Sequence, residues 1–225
     1  MKTIMTTAAT CLVLMGGLAA EVADDSAEVV RNDPQIQAVI DEVDALCREQ
    51  RVPMVGPERA ERLAELVREK RPRLVVEAGT AVGYSALWIA RELKALGEGH
   101  LITMEINPQR AEQAEEYLRK AGLEEFVTVQ VGDANELAAE IEGPIDFLFL
   151  DHNYPNYYPT FRALEDELSE GAIVVADNAG IGATGMGDYL TYVREKYRSE
   201  IEWFDVDLPW AKRDALEITV IEPRE

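Results

Sequence analysis

The chain has 225 residues, enough for one α/β domain with a core of its own, and its 47% apolar and 29% charged residues are ordinary for a soluble globular protein. Its charge is not ordinary: 43 acidic residues against 22 basic ones give a net charge of -21, a solvated acidic surface that repels phosphate backbones and argues against a nucleic-acid partner. Only Cys11 and Cys47 are present, so neither a disulfide framework nor a cysteine-rich zinc site is implied.

Met1-Lys2 is followed by an apolar run from about Thr6 to Ala20, shorter than the ~20 residues a membrane span needs. Gly17-Leu18-Ala19 has the small-x-small form of a signal-peptidase site, so export or anchoring is one reading. The weak positive charge ahead of the run and its threonines favour the other, a cytoplasmic protein. The polar tract Glu21 to Asp33 reads as a linker. The sequence therefore divides into a segment over 1–33 and a domain over 34–225.

From Pro34 to Gln50, Ile36, Val39, Ile40, Val43 and Leu46 recur at helical spacing. A second helix begins at Pro57, a favourable first position, carries Leu63, Leu66 and Val67 inward, and closes before Pro72. Strands and helices then alternate. The spacing predicts strands over Leu74–Glu77, Leu101–Glu105, Phe126–Val131, Ile145–Asp151 and Ala172–Asp177. Helices are predicted over Tyr84–Leu96, Asn107–Ala121, Asn135–Ile141, Thr160–Leu168 and Gly187–Tyr197. Two last strands, Ile201–Val206 and Leu216–Ile221, have only a loop between them, which suggests an antiparallel pair at one edge. The fold class is α/β: one open, mostly parallel sheet with helices on both faces.

Leu74 to Ser85 is the organising stretch. A β-branched run ends in Glu77, and Gly79-Thr80-Ala81-Val82-Gly83 opens onto a helix, which brings a ligand close to backbone N–H groups. The glycine spacing is not that of a dinucleotide fold, so a nucleoside without a pyrophosphate fits better, S-adenosylmethionine being the common one. A generic strand-to-helix turn is the plainer alternative.

Ligands of such sheets sit beyond the carboxyl ends of the strands. Those ends read Glu77, Glu105, Asp133, Asp151 and Asp177-Asn178, all acidic, which packing does not require. Glu105 can accept both ribose hydroxyls or act as a helix-capping acid ahead of Asn107. Asp133, after Gly132, can receive an adenine amino group or serve as a turn residue. Asp151, Asp177 and Asn178 end successive strands and offer oxygen donors alone, a set suited to Mg²⁺ rather than zinc or calcium; otherwise they are loop-initiating residues.

These blocks, Val76–Ser85, Thr103–Pro108, Phe149–His152 and Val175–Asn178, together resemble the cation-dependent catechol O-methyltransferase family, from about Pro34 onward. The resemblance implies a Rossmann-like class I methyltransferase fold, with a seven-stranded sheet and an antiparallel last strand. It also implies S-adenosylmethionine as donor, Mg²⁺ as cofactor and a small aromatic hydroxyl as acceptor. By position it places Val55, Glu77, Gly79, Tyr84, Ser85, Glu105 and Ile106 at the donor. Asp151 would also touch the donor, Gly132, Asp133 and Ala134 would flank the adenine with His152 packed near it, and Asp151, Asp177 and Asn178 would hold the metal.

The sequence departs from the family where the acceptor proton is removed. Tyr154 stands where well-known members carry a lysine, Asn153 where a tryptophan is expected, and the glutamate that orients the second catechol oxygen has no match near Asp207-Leu208-Pro209-Trp210. A tyrosine near pKa 10 is a poor base. Tyr154, His152 or the metal alone is left to serve. The loop Asn153–Pro159 and Trp210 can form an aromatic wall or ordinary packing, and Gly180–Gly187 can form a mobile rim over the acceptor. Two rival readings follow: a methyltransferase of a tRNA base, and a binding protein that no longer catalyses.

Overall fold

A computed structural model describes residues 25–222. The apolar run Thr6 to Ala20, Cys11 and the Gly17-Leu18-Ala19 site lie outside the described residues. Among the described residues no helix is long and apolar enough to cross a membrane.

Residues 25–31, read above as linker, are helical (α1). Arg31 Nε donates to Glu92 at 2.9 Å, and Glu92 is fully buried, held also by Arg68 at 3.1 Å. Arg31 is thus one of two guanidiniums on a buried carboxylate, and this pair ties α1 to the domain. α2 (Pro34–Gln50) starts where Asp33 accepts the Gln35 N–H at 2.8 Å and stops at Arg51 in the left-handed region. Its stripe Ile36, Val39, Ile40, Val43 and Cys47 is buried, each large apolar side chain contributing about 1.5–3 kcal/mol. Burial pushes the Cys47 thiol up to about 11, which makes it a core residue rather than a nucleophile.

The chain continues through α3 (Pro57–Lys70), β1 (Leu74–Ala78), α4 (Tyr84–Leu96), β2 (His100–Glu105), α5 (Pro108–Lys120) and β3 (Val127–Val131). It returns through α6 (Ala134–Ala138), β4 (Ile145–Leu150), α7 (Tyr157–Leu164), β5 (Leu168–Ala176), α8 (Gly187–Lys196), β6 (Arg198–Leu208) and β7 (Ala211–Val220). The sheet order is β3-β2-β1-β4-β5-β7-β6, with β1 to β5 parallel and β7 antiparallel to both neighbours. Strand residues alternate between two cores, as a pleated strand buried on both faces must. Val75, Phe147, Phe149 and Val175 face α2 to α5, and Val76, Leu148 and Val174 face α6 to α8.

The order reverses between β1 and β4, and the crevice at that reversal is where such sheets bind ligands. The boundaries differ from expectation mainly at the C-terminal side. The helix expected over Thr160–Leu168 is α7 plus a 3-10 turn, Glu165–Glu167, and β5 starts at Leu168 rather than Ala172. The last two strands form one long hairpin turning at Pro209-Trp210. Pairing such as Phe204 with Asp214 carries the ladder through polar residues that interrupt the apolar pattern.

Candidate active site

The turn after β1 is built by conformation. Gly79 has φ +106°, and a Cβ there would lie 2.1 Å from the Asp151 carbonyl oxygen, so only glycine lets β1 and β4 close the switch point. Ala81 has φ +47°, and its N–H donates to Glu105 Oε2 at 2.8 Å. Glu105 Oε1 accepts the Asn107 N–H at 2.9 Å, while Asn107 itself caps α5. Glu105 therefore stitches the end of β2 to the turn after β1.

These residues open on a cavity of about 360 Å³ whose wall includes Val55, Gly79, Tyr84, Ser85, Glu105 and Ile106. Asp151 and His152 close its far side, and Arg110, absent from the sequence reading, joins it. Glu77 stands behind the wall: it is fully buried, its oxygens taken by Ser85 Oγ and Thr103 Oγ1, each at 2.5 Å. Burial pushes its carboxyl up to about 7, against the pull of those two hydroxyls. Gly132, Asp133 and Ala134 lie past the wall at the end of β3, where Asp133 Oδ1 accepts the Asn135 N–H and caps α6. Burial drops the His152 imidazole to about 4, so it is neutral. It stacks on Tyr157 with ring centroids 5.1 Å apart, and its Nε2 meets Thr160 Oγ1 at 2.9 Å. Thr160 in turn donates to Asn135 Oδ1 at 2.7 Å, so the ring nitrogen Nε2 is the one that can donate to Thr160.

Asp151 follows β4, and Asp177-Asn178 follows β5, one strand over. Confinement in the cleft pushes Asp151 up to about 7, with Arg59 opposing and Glu77 and Asp214 adding to the rise. Burial, then repulsion from Asp151, holds Asp177 well above the ordinary carboxylate range, with Arg59 opposing. Two neighbouring carboxylates that resist ionising together are what a cation relieves. Asn178 points its Nδ2 at Asp214 Oδ2, 2.9 Å away, which turns its Oδ1 the other way. Among the described residues no three His, Cys, Asp or Glu side chains are grouped to hold an ion. The set here is two carboxylates and an amide oxygen, all hard donors, and its chemistry fits Mg²⁺.

A second cavity, about 850 Å³, adjoins the first. The two share Pro53, Met54 and Val55 on one side and Asp151, Tyr154 and Asn178 on the other, while Asp177, Phe204 and Trp210 belong to the second alone. Tyr154 stands at the junction, edge-on to Tyr157 at 6.2 Å. Burial, then the carboxylates of Asp214, Asp151 and Asp177, raise its phenol above the ordinary value.

Arg59 and Asp214 were missed from sequence. Arg59, on α3, donates through Nη1 to Asp177 Oδ1 at 2.5 Å and Asp214 Oδ2 at 2.7 Å, and all three side chains are buried. Arg59 lies four residues before Leu63 on the inward stripe of a helix otherwise full of solvated charge, and that position was the available signal.

A family model described as a methyltransferase domain matches residues 76–179. Catechol O-methyltransferase of Mus musculus is 34% identical over 199 residues, covering 84% of this chain and 73% of that protein. Catechol O-methyltransferase B of Danio rerio is likewise 34% identical over 199 residues, with the same coverages of 84% and 73%. Among solved structures, an O-methyltransferase from Bacillus cereus in complex with SAH is 21% identical, with a TM-score of 0.72 over 88% of this chain and 96% of that one. The O-methyltransferase TomG of Streptomyces achromogenes, in complex with SAM, is 23% identical, with a TM-score of 0.71 over 82% and 90%. At those identities the structural likenesses carry the fold alone.

Proposed function

We propose a reaction for this chain, which belongs to the catechol O-methyltransferase family and is an S-adenosylmethionine-dependent O-methyltransferase: its acceptor is a hydroxyl of a small aromatic, and its cofactor is Mg²⁺. The observation that carries this reading is the meeting of two cavities over Asp151, Tyr154 and Asn178. Methyl transfer needs a donor site and an acceptor site that share one wall at the reacting atoms.

The smaller cavity takes the donor. Glu105 would accept the ribose hydroxyls, since each of its oxygens holds one N–H and keeps capacity for a second donor. Ile106, exposed at the rim, and the neutral His152 would flank the adenine, with Gly132, Asp133 and Ala134 beyond. Val55, Gly79, Tyr84 and Ser85 would follow the amino-acid end, with Glu77 fixing Ser85 from behind.

The larger cavity takes the acceptor, and Trp210, Phe204 and Tyr154 give it aromatic walls. Asp151, Asp177 and Asn178 would hold Mg²⁺, which supplies acidity to a bound phenol or catechol hydroxyl. Neither nearby side chain is suited to remove that proton at neutral pH. The Tyr154 phenol stays protonated and His152 is too weak a base. We assign Tyr154 a wall role here, and its base role stays the alternative to be tested.

The test is methyl transfer from labelled S-adenosylmethionine to a panel of catechols and phenols, with Mg²⁺ and with excess chelator. Labelled product that disappears with chelator supports the proposal. Product that persists in chelator removes the metal, and product with none of these aromatics removes the acceptor class.

A further inference from the structure

Asp214 is the most heavily used carboxylate near the site, although neither cavity touches it. It is fully buried. Its Oδ2 accepts from Arg59 Nη1 at 2.7 Å and from Asn178 Nδ2 at 2.9 Å. Its Oδ1 accepts the Ile181 N–H at 3.0 Å and the Ala215 N–H at 2.8 Å. Four donors, one of them a guanidinium, hold the group in one orientation, and in every one of those bonds it is the acceptor.

Two consequences follow for the proposed ligands. A carboxylate can only accept, so the Asn178 atom facing it must be the amide nitrogen, and the amide oxygen faces away. Asn178 has φ +57°, a left-handed conformation that asparagine tolerates, and the Gly182 N–H holds its carbonyl at 2.7 Å. Both its backbone and its side chain are thus set. Arg59, meanwhile, occupies Oδ1 of Asp177.

We propose that Arg59 and Asp214 are positioning residues that preset the metal ligands, Asp214 by fixing which way the Asn178 amide faces and Arg59 by reserving one oxygen of Asp177. This inference rests on the assignment of Asp151, Asp177 and Asn178 as metal ligands. It concerns atoms that carry no ligand themselves and act through those that do.

The experiment measures Mn²⁺ binding by electron paramagnetic resonance on the full chain, together with S-adenosylhomocysteine binding as a control for the folded donor site. Asp214→Asn gives position 214 an amide that can donate as well as accept, so the Asn178 amide is free to turn over. Mn²⁺ affinity is expected to fall about 10–100-fold, the usual effect of removing an outer partner of a metal ligand. S-adenosylhomocysteine affinity should stay within about threefold of the parent, a loss of well under 1 kcal/mol. Arg59→Met is expected to lose Mn²⁺ affinity in the same range. Arg59→Lys, which keeps a cation with several donors, should recover most of it. If Asp214→Asn does not fold, the two Arg59 variants decide.

Absence of Mn²⁺ binding by the parent chain defeats the metal assignment and this inference with it. A parent that binds Mn²⁺, with folded Asp214→Asn or Arg59→Met variants that bind it equally well, leaves the metal assignment standing and overturns the positioning role. Mn²⁺ binding by Arg59→Lys as weak as that by Arg59→Met also overturns the role assigned to Arg59.

Discussion

Gly182 lies against the ring of Tyr154 so closely that a Cβ on it would sit 2.9 Å from Cε1 and Cζ. Gly185 packs the same ring from beside it, with a Cβ position 3.0 Å from the Tyr154 Cβ. The glycine-rich stretch after β5, read from sequence as a mobile rim, packs two of its glycines against that ring. Gly182→Ala is expected to push Tyr154 towards the cavity junction, because the methyl also meets the Asn178 carbonyl oxygen at 2.9 Å and has no easy retreat. Overpacking of this kind costs about 1–3 kcal/mol. Steady-state kinetics should show acceptor KM rising roughly tenfold, the equivalent of about 1.4 kcal/mol, with donor affinity little changed. Unchanged acceptor KM would show that the ring does not shape the acceptor site.

Tyr154→Phe keeps the ring and deletes the hydroxyl. Since burial and the carboxylates around it hold the phenol protonated, its removal is expected to leave kcat within about threefold of the parent. Loss of a true general base would cost about 10²–10⁴ in rate. Rate measurements across neutral pH separate the two outcomes, and a drop of the larger size would return Tyr154 to a proton-transfer role.

Glu105→Gln tests the stitch between β1 and β2. The amide loses one acceptor and presents a donor to the Ala81 or Asn107 N–H. Hydrogen bonds to a charged group are worth about 1.5–3 kcal/mol, so S-adenosylhomocysteine should bind roughly 10–100-fold more weakly by calorimetry. Equal affinity would remove Glu105 from the donor site.

Glu77 contributes to the pH dependence of the fold, beside Asp151 and Asp177, whose carboxyls burial also raises. Its carboxyl rises from 4.5 to about 7 on folding because it is buried, so between those values the native state holds a proton that the unfolded chain has released. Its contribution is whole below 4.5 and is lost as pH rises through 7, a decrease on the order of 3 kcal/mol. Glu77→Gln cannot ionise. Urea denaturation at pH 5 and pH 8 should show a smaller loss of stability for the variant than for the parent. Identical losses in the two proteins would show that Glu77 is not the group responsible.

The parts of this site that sequence made legible are those built from local rules. Glu105, Asp151 and Asp177 end apolar strand runs, and the glycines at 79 and 83 mark the turn that joins β1 to α4. Strand ends of a parallel sheet gather at one edge, so acids found there can be grouped without coordinates. Glu77 obeys the same rule yet sits behind Ser85 and Thr103, because sequence shows that it ends a strand but not what covers it. Asp214 was hidden for another reason. Lys212-Arg213-Asp214 reads as a polar loop, and only the pairing with β6 turns it into strand and brings the carboxylate beside Asp177. Its partner Arg59 is 155 positions away, a distance over which no periodicity speaks.

That separation has a consequence for synthesis. A ribosome finishes α3 and the first five strands before it reaches β7, and a domain folds as a unit, so the Arg59–Asp214 pair forms only once β7 is available. Until residue 214 arrives, Arg59 has a single carboxylate to face, and nothing directs the Asn178 amide. The contacts that set Asp177 and Asn178 therefore wait for the reversed last strand, which lies between β5 and β6.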